Sequence, residues 1–295
     1  MWKTHLAVLG SAAGKTNASL VSAWRRCGLA CSLLEPGTAG LAAYDVVLAR
    51  LDVLPTLDGV EPGLLQLLWL ERRGAKVFNT CGTLLTTHDK LRTAVALRRA
   101  GLPHPQTLHL DPGRSQPPPA PVVLKPRFGS WGRDVRLCRR DAEVASSLAE
   151  FASRPWFRRH GVLAQAVLPT RGFDLRLLVA GGRVVGAVER HARSGEWRTN
   201  VSVGAERLAT TPDAEASALA VAAATAVGAD LVGVDLMPLP DGGYAVIELN
   251  GAVDFTQEYS LDGDIYEAVA DALGVANGDR LRRRSPARVG GSRHL

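Results

Sequence analysis

Two apolar runs late in the chain each carry one carboxylate: Asp235 interrupts Leu231-Val-Gly-Val-Asp-Leu-Met237, and Glu248 interrupts Ala245-Val-Ile-Glu-Leu-Asn250. Runs this short and this apolar read as buried strands, where an ionised carboxylate is costly unless a cation or hydrogen bonds compensate it. Pro240–Gly243 forms a short turn between them. The pair therefore reads as antiparallel neighbours, with Asp235, Glu248 and Asn250 meeting at one end of a sheet. Glu248 and Asn250 are two residues apart and share a face of their strand. Two carboxylates and an amide oxygen are hard ligands suited to Mg²⁺, which also takes oxygens from water and nucleotide phosphates. The plainer alternative puts Asp235 in solvent at a strand end and pairs Glu248 with an arginine.

Where the cations lie decides between these readings. The 295 residues hold 35 Lys+Arg against 29 Asp+Glu, but six arginines and no acid fall between Arg280 and Leu295. The first 279 residues are thus formally neutral, with 35−6=29 basic groups against 29 acidic ones. The surplus belongs to a Gly-, Ser- and Arg-rich tail expected to be disordered, and does not make the body a nucleic-acid binder. Only five basic residues are lysines: Lys3, Lys15, Lys76, Lys90 and Lys125. Lys125 ends the run Val122-Val-Leu-Lys and is followed by Pro126-Arg-Phe-Gly-Ser-Trp-Gly-Arg133, a loop whose backbone amides can close over phosphates. Lys90 opens the preceding helix. Both fall where a nucleotide's phosphates need point charges. Arg171, Arg176, Arg190, Arg193 and Arg198 form a third cluster, on the arms of a Gly181–Gly182 hairpin and in the polar segment Ser194–Asn200. Arginines so placed can grip a carboxylate bidentately or neutralise a transferring phosphoryl group.

The rest of the chain frames these groups. In residues 1–86, strands at Leu6–Leu9, Ala30–Leu34, Tyr44–Ala49 and Lys76–Phe78 alternate with helices at Asn17–Cys27 and Gly63–Arg73, the pattern of an α/β layer with a mostly parallel sheet. Residues 87–160 open with a helix capped by Thr87 or Asp89 and running to about Ala100. Strands follow at Gln106–Leu110, Val122–Lys125 and Asp134–Cys138, then a helix from Asp141 to about Ala152. From 161 to 275 the chain turns to strands, at Val162–Val167, Phe173–Val179, Arg183–Arg190, Leu231–Leu239 and Tyr244–Leu249, with helices at Asp213–Val227 and Asp262–Leu273. Residues 276–295 are the basic tail.

Gly10-Ser-Ala-Ala-Gly-Lys-Thr16 imitates a phosphate-binding P-loop but is one residue short between its glycines, so it reads as a turn entering a helix. Cys27, Cys31, Cys81 and Cys138 show neither metal-ligand spacing nor a disulfide framework and read as core thiols. No apolar run reaches the ~18–20 residues of a membrane span, and Met1–His5 lacks a signal peptide's order. The expected setting is cytoplasmic.

In order, His88-Asp-Lys-Leu, Val123-Leu-Lys-Pro, Gly129-Ser-Trp-Gly-Arg, Asp174-Leu-Arg, Glu196-Trp-Arg-Thr-Asn, Gly233-Val-Asp-Leu and Glu248-Leu-Asn resemble the ATP-grasp superfamily, and within it the RimK- and LysX-like carboxylate–amine ligases. The resemblance covers about Thr87–Leu273. It implies a mixed α/β (α+β) ATP-grasp fold, with Met1–Thr86 as a Rossmann-like preATP-grasp domain. It implies ATP phosphates held by Lys90 and Lys125 under a loop of Gly129, Ser130, Trp131 and Gly132. Gln165, Ala166 and Val167 would be the hinge that meets adenine, with Arg190 also on the nucleotide side. Asp235, Glu248 and Asn250 would bind Mg²⁺, or Mn²⁺ in its place, while Arg176, Arg198 and Asn200 face the phosphoryl group and the acceptor carboxylate. The implied partners are ATP, an amino acid, and a carboxylate on a small molecule, a peptide or a small acidic carrier protein, in a homodimer or homotetramer. Two departures stand out: Gln165 replaces an acidic hinge residue common among relatives, and Gly251-Ala-Val-Asp-Phe replaces the Ser- and Pro-containing turn of the glutamate ligases, leaning toward the LysX side. The alternative is a nucleotide-binding regulatory module without ligase activity.

Overall fold

In the computed structural model, which describes residues 5–38, 40–113 and 116–276, the chain opens with β1 (His5–Leu9), α1 (Lys15–Arg26), β2 (Ala30–Leu34), β3 (Val46–Ala49), α2 (Leu64–Arg72) and β4 (Lys76–Phe78). The strands form a parallel sheet in the order β2-β1-β3-β4. Leu6, Val8, Val46 and Leu48 pack on the α1 side and Ala7, Leu9, Val47 and Ala49 on the α2 side. Burial on both faces is why these strands read as apolar runs rather than alternations. Gly28, at φ 81°, ends α1 and leaves Cys27 exposed, so of the four thiols expected in the core only Cys31 and Cys138 are buried.

The helix expected to run to about Ala100 is present, and a second, unexpected helix precedes it. α3 (Cys81–His88) is capped by Thr80, and α4 (Lys90–Arg99) by Asp89, whose carboxylate accepts from the Leu91 amide at 3.1 Å. Thr87 caps nothing; it is buried inside α3 and donates back to the Thr83 carbonyl. Gly and Thr are weak helix formers, and α3 forms because Leu84 joins the core beneath it.

The next strands, β5 (Thr107–Leu110), β6 (Val122–Pro126), β7 (Arg136–Cys138) and, after α5 (Asp141–Phe151) and α6 (Pro155–His160), β8 (Val162–Ala166), make an antiparallel sheet ordered β5-β8-β6-β7. α6 was not foreseen; Trp156 and Phe157 fold it onto Phe151. A second antiparallel sheet, β11-β10-β9-β12-β13, comprises β9 (Phe173–Ala180), β10 (Arg183–His191), β11 (Glu206–Ala209), β12 (Leu231–Pro238) and β13 (Tyr244–Asn250). β11 is a polar edge strand that apolar patterning could not show. α7 (Ala214–Ala226) lies on one face through Ala216, Ala220, Ala223 and Ala224. α8 (Ile265–Ala272) lies on the other and joins it to α1.

Asn79 locks the parallel layer to β12. It is fully buried at φ 56°; its amide nitrogen donates to the Leu231 and Gly251 carbonyls, and its oxygen accepts from the Asp230 and Leu231 amides. Gly181 and Gly182 lie at φ 54° and 79°, the turn expected for the β9–β10 hairpin. A Cβ on Gly181 would also collide with the Ala272 carbonyl, whereas one on Gly182 meets nothing. Gly181→Ala is therefore expected to cost about 2–4 kcal/mol and Gly182→Ala about 1 kcal/mol, measured by urea denaturation.

No described helix is long and apolar enough to cross a membrane. The tail expected to be disordered lies, from Asn277 onward, outside the described residues.

Candidate active site

A cavity of about 440 Å³ lies between the two antiparallel sheets. One end is apolar, walled by Val123, Leu137, Met237 and Ile247, beside Gln165, Ala166 and Val167. The other end carries the charges.

Asp235 and Glu248 are Cα partners across β12 and β13, the antiparallel pairing expected of them. A bulge decides how Glu248 points. The register slips between Asp235 and Leu236, leaving Ile247 unpaired, so Val246 packs under α7 while Ile247 and Glu248 both line the cavity. Simple alternation would have put Val246 and Glu248 on the same face.

Lys90 stands 2.9 Å from a Glu248 oxygen and donates to the Gly129 carbonyl at 2.5 Å. Lys125 is buried and donates to Gln165 Oε1 at 2.7 Å. Burial, outweighing the attraction of Glu248, pulls its pKa down to about 8. Gln165 in turn donates to Thr107 Oγ1 at 2.9 Å. Gln165 thus holds Lys125, a contact the sequence did not suggest.

The glycine loop is pinned at both ends. The Lys90 amide bonds the Arg127 carbonyl at 3.0 Å and Arg127 pairs with Asp89; beyond the loop, the Trp156 indole donates to Asp134 at 2.9 Å. Between them Trp131 and Gly132 are both left-handed, at φ 62° and 66°. Ser130, Trp131 and Gly132 line the cavity, and opposite them are Arg198 and Asn200. Arg198 Nη1 donates to the Gly132 carbonyl at 3.2 Å, while its Nε and Nη2 fork onto Glu196 at 3.1 and 2.8 Å. Hydrogen bonds from Arg198 hold the Glu196 carboxyl down at about 2.

Along the cavity wall runs a buried chain of alternating charges, of which Asp174, Arg190 and Asp235 line the cavity. Arg176 Nε and Nη2 grip Asp235 at 2.6 and 2.7 Å, Arg190 Nη2 reaches the same carboxylate at 2.8 Å, and Arg190 forks onto Asp174 at 2.7 and 2.5 Å. Burial alone would raise the Asp235 carboxyl, but the two guanidiniums overcome it and hold it well below the usual carboxylate range. For Asp174 burial prevails over Arg190 and its pKa is raised. The alternative of a solvent-facing Asp235 fails, since the residue is 4% exposed; an arginine pairing exists, but on Asp235 rather than Glu248.

Of the residues expected at the site, Arg176 and Asn250 do not line this cavity, nor do Arg171 and Arg193 of the arginine cluster. Arg176 sits behind Asp235, with which it is directly paired across β9 and β12. Asn250 turns its oxygen to the Ala252 amide at 3.0 Å. Asp174, Thr199 and Glu196 were given no individual role from sequence, and Asp89 only that of a helix cap. The first had a legible signal: like Asp235, it is an acid inside an apolar strand, Phe173-Asp-Leu-Arg-Leu-Leu178.

Among the described residues no three His, Cys, Asp or Glu side chains gather as a metal cluster. The donor set is instead two paired carboxylates with an amide oxygen two residues on. Among the described residues Glu248 has one ion-pair partner, Lys90, and carboxylate oxygens each accept more than one partner, so the two carboxylates fit a hard divalent cation, while the Asn250 oxygen is taken by the Ala252 amide.

Residues 87–273 match the RimK-like ATP-grasp domain family. The chain is 28% identical over 250 residues, 79% of its length and 78% of the relative's, to a protein named probable alpha-L-glutamate ligase in Legionella pneumophila (strain Corby). It is 27% identical over 227 residues, 75% of its length and 78% of the relative's, to the glutamate–LysW ligase ArgX of Sulfurisphaera tokodaii. In fold it is similar to the crystal structure of a RimK-domain ATP-grasp protein from Sphaerobacter thermophilus, with a TM-score of 0.69 at 21% identity, over 91% of this chain and 98% of that one.

Proposed function

The chain belongs to the RimK-like ATP-grasp family of ATP-dependent ligases, and from that premise we propose that it joins an amino acid, through its amine, to a carboxylate on a small molecule, a peptide or a carrier protein. One observation carries the reading: two lysines, a glycine loop, a carboxylate pair and an arginine-bearing loop all line one cavity of about 440 Å³. The apolar end suits a purine. The charged end suits a triphosphate and an incoming acid.

On this reading Lys90 and Lys125 neutralise the phosphates, and the loop Gly129–Gly132 closes over them with its amides. Arg198 and Asn200, across from that loop, orient the acceptor. An oxygen of the substrate carboxylate attacks the γ-phosphorus and the bond to the β-phosphate oxygen breaks, giving ADP and an acyl phosphate. The amine then attacks the acyl carbon, phosphate leaves with the C–O bonding pair, and the nitrogen sheds a proton. No side chain of the protein becomes covalently attached. The protein's part is positioning, charge neutralisation and exclusion of water. Asp235, Glu248 and Asn250 would hold Mg²⁺, with Mn²⁺ as a substitute, and the bound cation would neutralise phosphate oxygens. Arg176, from behind, and Arg190, at the cavity wall, hold Asp235 in place. The names of the relatives support glutamate as one substrate and a carrier protein as the acceptor; a homodimer or homotetramer in the cytoplasm completes the proposal.

The test combines ATP and Mg²⁺ with a matrix of carboxylates and amino acids, reading ADP, phosphate and product mass. Hydroxylamine in place of the amine should trap the acyl phosphate as a hydroxamate. Folded protein that binds ATP yet releases no ADP with any pair would overturn the ligase reading in favour of a regulatory module.

A further inference from the structure

The segment between β10 and β11 carries Arg198 and Asn200, and regular structure in it is limited to a single turn at Val201–Val203. Trp197 and Val201 are 37% and 40% exposed, yet Thr199 between them is only 9% exposed. Its hydroxyl donates to Asp174 Oδ2 at 2.6 Å. Asp174 is 3% exposed and belongs to the buried chain of charges that continues through Arg190 to Asp235.

Among the described residues, every other side-chain hydrogen bond of 196–203 either stays within the segment or reaches the glycine loop. Glu196 takes the Trp197 and Arg198 amides and the Arg198 fork. Arg198 reaches the Gly132 carbonyl and Ser202 the Trp131 carbonyl, at 3.2 and 2.8 Å. The glycine loop is itself a loop, so neither bond fixes the segment to the sheets. The Thr199 hydroxyl does.

We propose that Thr199 is a positioning residue, which anchors this segment to the sheet through Asp174 and so sets Arg198 and Asn200 over the cavity. With Thr199 tied to Asp174 at the cavity wall, the residues on either side of it, Arg198 and Asn200, also line the cavity and pack on Gly132, where a Cβ would stand 2.8 Å from Asn200 Oδ1. Because Asp174 also holds Arg190 and Arg190 holds Asp235, one buried carboxylate aligns the acceptor side of the site with its metal side. The proposal rests on the reading of Arg198 and Asn200 given above.

The experiment uses the full chain with Thr199→Val, which keeps the shape and removes the hydroxyl, and Thr199→Ser, which restores the hydroxyl. Two readouts are taken: amide hydrogen exchange over 196–203, and KM for the carboxylate beside Kd for ATP. Loss of a buried hydrogen bond to a charged acceptor is expected to speed exchange roughly tenfold or more in 196–203 while β9 and β12 keep wild-type rates, and to raise the carboxylate KM by a similar factor. ATP Kd should stay within about twofold, and Thr199→Ser should return both readouts to wild type. Unchanged exchange in Thr199→Val, or a serine variant as loose as the valine one, overturns the anchor. Faster exchange with an unchanged carboxylate KM overturns the positioning role. Should the wild type turn over no carboxylate at all, the ligase reading fails while the exchange comparison still decides the anchor.

Discussion

Asp235→Asn is expected to abolish turnover and to lower stability by about 3–5 kcal/mol, whereas Glu248→Gln abolishes turnover and leaves the fold nearly intact. The difference lies in what each carboxylate holds. Asp235 is 4% exposed and neutralises two guanidiniums, those of Arg176 and Arg190. Removing its charge leaves two buried cations sharing Asp174, and breaking a buried pair in this way costs about 3–5 kcal/mol. The melting temperature should fall by roughly 10 °C. Among the described residues Glu248 forms an ion pair with Lys90 alone, its side chain is 29% exposed, and Lys90 keeps the Gly129 carbonyl. A glutamine there should cost about 1 kcal/mol or less. Turnover should nonetheless fall roughly 10³-fold in both, through lost charge stabilisation of the transferring phosphoryl group. Calorimetric melting beside ADP-release assays separates the two effects. Equal loss of stability in both variants would show that the buried charge chain does not hold the fold as described.

ATP binding is expected to weaken as pH rises through about 8, because Lys125 loses its proton there. Burial brings its pKa from 10.5 down to about 8. Between those values the unfolded chain binds the extra proton and the folded one does not, so this lysine's contribution to stability rises with pH across that window. The charged form therefore costs the free protein about 3 kcal/mol near neutrality. Phosphates beside Lys125 favour its charged form and raise its pKa again, so ATP binding at pH 8.5 should take up protons. Calorimetry in two buffers of different ionisation heat measures that uptake. Apparent ATP affinity should fall by up to about tenfold per pH unit above 8. In Lys125→Met the uptake should vanish and ATP bind at least about tenfold more weakly, while the protein melts no lower. Proton uptake that persists in this variant would assign the titration to another group.

Much of the site was legible because charge in an apolar strand is a strong signal. Lys90, Lys125, Asp235 and Glu248 were found by that argument or by rarity, and all four line the cavity. What stayed hidden was hidden for definite reasons. α3 was hidden because Gly and Thr weaken its helical signal, and it forms through the place of Leu84 in the core. The bulge at Ile247 is a matter of register between two strands, and single-strand alternation does not see it. Gln165 became a holder of Lys125 only because β6 and β8 are neighbours, with Val123 directly opposite it. Asn79 gave no warning, since its partners lie more than 150 residues away.

Four charged residues that line the cavity, Lys90, Lys125, Asp235 and Glu248, could be picked out from local composition or rarity, because an acid or a lysine inside an apolar run must find a partner or a task. Partnership was decided by tertiary structure alone. Arg176 looked like a group that would face substrate, and the pairing of β9 with β12 instead puts it behind Asp235, directly opposite it in register. Thr199 looked like one polar residue among several, and the approach of its loop to β9 brings it to a buried carboxylate. Electrostatic and hydrogen-bond partners act over ångströms, and residues that close were tens of positions apart in the chain.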